Sequence, residues 1–78
     1  MSPDPARGRR LRRLIATRFG SHEGWTVELL PRLGVSKAAL MAWLSGKTEP
    51  DLANCGRLAE VLGLRRWQVV RVLDGDEE

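Results

Sequence analysis

Lys37, Ala38, Met41 and Ala42 recur at the spacing of one helix face, a cation and three uncharged side chains with no carboxylate among them. Such a face suits close approach to the groove of a polyanion, where an ammonium donates to base-edge acceptors and methyl groups make apolar contact. Two elements must position it. Leu29, Leu30 and Leu33 form one apolar helical face, Gly34 permits a positive φ, and Leu40, Trp43 and Leu44 form the next. When those faces pack, the side of the second helix carrying the four residues is left free.

Other chemistry is poorly supported. His22 stands beside Ser21 and Glu23, but adjacency within a Gly-bounded turn is not a triad, which is assembled in space around an ordered base. Cys55 falls on an apolar stripe and reads as a small buried residue, with no second histidine to activate it. No Cys/His cluster has zinc-ligand spacing, and no cofactor is expected. Trp43 and Trp67 lie on the apolar stripes of their helices and read, with Trp25, as core rather than as stacking platforms.

Seventy-eight residues hold one domain. No stretch alternates with period two, and glycines punctuate helical periodicities, so the expected fold is all-α, a five-helix bundle. Residues 1–48 hold nine basic and three acidic side chains, net +6, whereas residues 49–78 hold four and seven, net −3. Arginine outnumbers lysine eleven to two, which favours phosphate, because guanidinium forks match phosphate oxygens. A lone cysteine and the absence of an apolar amino-terminal core or long apolar run predict a cytoplasmic chain with no membrane association.

Pro3 and Pro5 predict a flexible basic arm over residues 1–7, followed by a domain over 8–73 and an acidic tail over 74–78. Leu11, Leu14, Ile15 and Phe19 form the stripe of a first helix over about 6–19. Thr26 is the expected N-cap of a second helix over about 26–33, in which Pro31 predicts a kink or a later start, since an interior proline costs roughly 3 kcal/mol. Ser36 caps a third helix that Gly46 stops, and Asp51 caps a fourth ending at Gly63. In the fourth, Leu52, Cys55, Leu58, Ala59 and Leu62 form the stripe, and Gly56 marks an expected close backbone approach. Leu64, Trp67, Val70 and Leu73 repeat every three residues in a fifth helix over about 65–73, which leaves Val69 and Val72 exposed beside them.

Leu33-Gly34-Val35-Ser36 followed by Leu40, Trp43, Gly46 and Pro50 resembles the Cro/repressor-type helix-turn-helix family, and the likeness extends over about residues 8–73. Leu30 departs from the pattern, which usually sets a small residue four positions before the turn glycine, and Pro31 follows it. The resemblance implies that Lys37, Ala38 and Ala42 face base edges in the major groove, with Met41 and Ser36 beside them. It implies phosphate contacts at Thr26, at Ser45, Lys47 and Thr48, and at Arg7, Arg9 and Arg10, where family arms wrap the duplex.

The expected function is therefore non-catalytic: sequence-specific binding of double-stranded DNA by a small Cro-like repressor of phage or bacterial type, without a separate ligand-sensing domain. A homodimer on a palindromic site is expected, with Trp67, Val69, Val70 and Val72 at its interface. The alternative is an antitoxin-type or protein-interaction helical module that docks a protein partner through its acidic second half.

Overall fold

Asp4 caps the first helix by accepting a hydrogen bond from the Arg7 backbone N–H at 3.2 Å, and that helix starts at Pro5. The computed structural model describes residues 3–20 and 25–75, with the backbone alone for 25–27. Five helices carry these residues: α1 (Pro5–Phe19), α2 (Trp25–Leu33), α3 (Lys37–Ser45), α4 (Leu52–Leu62) and α5 (Arg66–Asp74). Among the described residues there is no strand.

Local chemistry accounts for the boundaries. Ser36 Oγ accepts from the Ala39 N–H at 3.1 Å and Asp51 Oδ1 from the Asn54 N–H at 2.8 Å, so the expected caps of α3 and α4 are present. Gly34 turns the chain at φ 68°, and Gly46 closes α3 at φ 79°, both in the left-handed region. The expected arm over residues 1–7 is corrected at residues 5–7, which lie in α1, while residues 1 and 2 are outside the described residues. A proline at the first helical position forfeits only a hydrogen bond that would be unmade there, and its fixed φ suits a helix start, so Pro5 opens the helix one residue before the expected start.

Helix α2 runs through Pro31 to Leu33, with the ring exposed, and starts at Trp25 rather than late. Leu29 and Leu33 are buried, and each buried leucine contributes about 1.5–3 kcal/mol, enough to offset the lost hydrogen bond. Thr26 lies inside the helix instead of capping it, and its side chain is outside the described residues, as are His22 and the side chain of Trp25.

The core joins Leu11 and Ile15 of α1, Leu29 and Leu33 of α2, Leu40, Trp43 and Leu44 of α3, Cys55, Leu58, Ala59 and Leu62 of α4, and Val69 and Leu73 of α5. Two expected core positions are exposed instead. Leu52, in the first turn of α4, is 64% exposed, and Trp67 is 55% exposed, with the Arg71 guanidinium 5.7 Å from its ring centroid. The register of α5 explains Trp67. A three-residue repeat drifts about 60° per step around a helix of 3.6 residues per turn, whereas Val69 and Leu73, four apart, share a face roughly opposite Trp67. Val69 is fully buried and so cannot belong to a dimer interface; Val70 and Val72 are half-buried.

Gly56 is likewise corrected. A methyl group there would meet only Arg66 Cδ at 3.8 Å, an ordinary contact, and no backbone approaches. Gly56→Ala should therefore stabilise the fold by about 0.5–1 kcal/mol, the helix-propensity difference, read as a higher urea midpoint at unchanged slope.

Candidate nucleic-acid interface

The three buried residues of α3, Leu40, Trp43 and Leu44, occupy one side of the helix. At about 100° per residue, Lys37, Met41, Ser45, Ala38 and Ala42 fill a contiguous sector of about 140° on the other. Lys37, Ala38 and Ser45 are exposed, Ala42 is half-buried, and Met41 is half-buried and packs partly on the core. The sector carries no carboxylate, and Lys37 stands at its amino-terminal end. Ser36 is exposed, but its hydroxyl oxygen accepts the capping hydrogen bond from Ala39.

The segment after α3 continues this surface. The N–H groups of Lys47 and Thr48 both donate to Ala42 O, at 3.0 and 3.3 Å, which folds the chain back over the helix end. Ser45 Oγ donates to Ala42 O at 3.1 Å and lies 3.4 Å from the Lys47 N–H that donates to it. The side chains of Ser45, Lys47 and Thr48 are exposed.

What holds α3 in place is chiefly α1, while α2 packs on α4. Leu30, at the place where a small residue was expected, is half-buried against the core. The α1–α3 crossing depends on Gly8, which is buried; a methyl group there would lie 2.5 Å from both Gly46 N and Leu44 O. Two donors from α1 and its cap then converge on one acceptor. The Asp4 N–H and Arg7 Nη2 both donate to Gly46 O, at 2.8 and 3.0 Å.

Two expected phosphate ligands are thereby corrected. Arg7 is buried, and its Nη1 sits 3.6 Å from Glu49 Oε2. Arg10 donates through Nε to Val72 O at 2.8 Å and through Nη2 to Leu73 O at 2.6 Å, so a cation satisfies the last carbonyls of α5. Arg9, by contrast, is exposed. A run of charge in sequence does not distinguish these cases, but glycine inside an otherwise helical pattern at position 8 is a signal of close approach that was available.

A helix-turn-helix family model matches residues 22–66, more than half of the chain. The chain belongs to the Cro/repressor-type helix-turn-helix family. Helix-turn-helix proteins of this type are DNA-binding regulators, and the matched span contains α2, α3, α4 and the turns between them. It excludes α1, so the Asp4, Arg7 and Gly8 contacts lie outside what the helix-turn-helix match covers. No curated protein and no solved structure matches the chain.

Cys55 is buried and its Sγ donates to Pro50 O at 3.7 Å. Burial first, and then the carboxylates of Asp51 and Glu49, push its thiol above the ordinary value, which keeps it protonated and a poor nucleophile at neutral pH. Among the described residues no group of three or more His, Cys, Asp or Glu could hold a metal ion, and no helix is long and apolar enough to cross a membrane.

Proposed function

We propose that the chain is a small repressor that occupies an operator by laying α3 in the major groove of duplex DNA, with no catalytic role. The observation that carries this reading is the carboxylate-free sector of α3 in a chain of the helix-turn-helix family. Lys37 donates to guanine O6 and N7, Ala38, Met41 and Ala42 make apolar contact with thymine methyls, and Ser36 flanks them. Ser45, Lys47, Thr48, Arg9 and Thr26 meet phosphates, which fix register without reading sequence. The protein acts in the cytoplasm, at the DNA.

Two copies on a palindromic site supply the length of sequence that one recognition helix cannot read. Trp67 is the anchor of the contact between them, with Val70 beside it about 60° round the helix, whereas Val72 lies about 140° away on the side of the buried Val69; a tryptophan more than half exposed is an unusual exposure for a monomer. The same exposed Trp67, together with Leu52, is what favours the second reading, a protein-docking or antitoxin-type module. Co-purification of a different protein independent of DNA would support that reading over a repressor dimer.

The test separates specifying from positioning residues. Lys37→Ala should weaken binding to the preferred duplex by about 1–3 kcal/mol and relax one base position in sequences selected from a random pool. Lys47→Ala should weaken all sequences alike. An unchanged selected sequence with Lys37→Ala would remove α3 as the reading element.

A further inference from the structure

We infer that Arg7 is a positioning residue for DNA recognition, holding the carboxyl end of α3 and the segment 46–49 against α1, an inference that rests on the DNA-binding reading above. The geometry is specific to that end of the helix. The Arg7 guanidinium bridges Gly46 O at 3.0 Å and Glu49 Oε2 at 3.6 Å, and so spans the two residues that bracket Lys47 and Thr48. Asp4 supplies the second donor to Gly46 O, and Gly8 brings the two backbones together. Because α3 packs chiefly on α1, this cluster sets the placement of the recognition helix more directly than α2 does.

Stability alone does not account for the arrangement. Arg7 Nε is buried without a hydrogen-bond partner, which is a cost, and a buried guanidinium paired with a half-exposed carboxylate returns little against its desolvation. What such a cluster does provide is one defined geometry, since a planar fork addressing two acceptors fixes their separation. Arg7 is not available to phosphate, as its side chain is 9% exposed. It acts through Gly46 and Glu49.

The experiment uses the full chain carrying Arg7→Lys, whose one nitrogen replaces the two, Nη1 and Nη2, that address Glu49 and Gly46 separately and lacks the planar fork that fixes their separation. Without DNA, backbone amide exchange at Lys47 and Thr48 should accelerate about tenfold relative to Leu58 in the α4 core, the loss expected for one charge-assisted hydrogen bond. With the preferred duplex, affinity measured well below the unfolding temperature should fall about tenfold while the salt slope stays that of the wild type. Equal acceleration at Lys47 and Leu58, or unchanged affinity, would reduce Arg7 to a merely structural residue and overturn the inference. A slope smaller in magnitude by about 1 would make Arg7 a phosphate ligand and overturn it also. If Arg7→Lys fails to fold, Glu49→Gln, at a half-exposed site, decides: Lys47 exchange should still quicken about threefold against Leu58, and no change would refute the inference. A wild-type chain without duplex preference would refute the DNA-binding reading, while the amide comparison would still decide whether Arg7 holds the loop.

Discussion

Gly8→Ala is expected to lower the stability of the fold by about 3 kcal/mol, although the same substitution in an ordinary helix would raise it by about 1 kcal/mol. The reversal comes from what the new methyl group meets. At Gly8 it would lie 2.5 Å from Gly46 N and Leu44 O, backbone atoms that cannot rotate away, so α1 must separate from α3. At Gly56 the nearest atom is the flexible Arg66 side chain at 3.8 Å, and there the propensity gain survives. Urea unfolding of the two variants should move the midpoint in opposite directions, and Gly8→Ala should also lose DNA affinity because the recognition helix loses its seat. Equal midpoints would mean that the α1–α3 crossing is looser than these distances.

Val69→Glu is expected to abolish folding, an effect larger still. Val69 is fully buried, and an unpaired carboxylate placed in an apolar core costs several kcal/mol, comparable with the roughly 5–15 kcal/mol that stabilises a whole domain. Circular dichroism at 25 °C should show lost helicity. Trp67→Ser, on the opposite face, should leave helicity intact and cost about 0.5–1 kcal/mol through the lost contact with Arg71, while weakening self-association. If Val69→Glu stayed folded and merely failed to dimerise, the register of α5 would be the one that its three-residue repeat predicts.

The contrast between these helices shows what was legible in the sequence. Ser36, Asp51, Gly34, Gly46 and Gly63 each act within a few residues of themselves, so their caps and turns could be read locally. The stripes of α3 and most of α4 have true helical spacing and bury as expected. Helix α5 failed because Leu64, Trp67, Val70 and Leu73 are spaced by three, and Leu64 precedes the helix altogether. Pro3 and Pro5 point to an arm over residues 1–7, whereas Asp4 caps a helix that the second of them opens.

The candidate site divides in the same way. The free sector of α3 follows from its buried one, so Lys37, Ala38, Met41 and Ala42 could be assigned together from spacing, with Met41 more buried than its role implied. Arg7 and Arg10 could not be told from Arg9, because whether a guanidinium meets solvent or the end of a helix is decided by contacts 39 to 63 residues away in sequence. Gly8 carried the one local hint of that packing.

The most direct test of the central claim is the affinity of the chain for a selected duplex and for a scrambled one of the same length, measured at several salt concentrations. A dimer neutralising about 4–8 phosphates should give log K falling against log salt with a slope of roughly −4 to −7 on both duplexes, with the selected one bound more tightly throughout. A flat salt response, or equal affinity for the two duplexes, would contradict sequence-preferring DNA binding by α3.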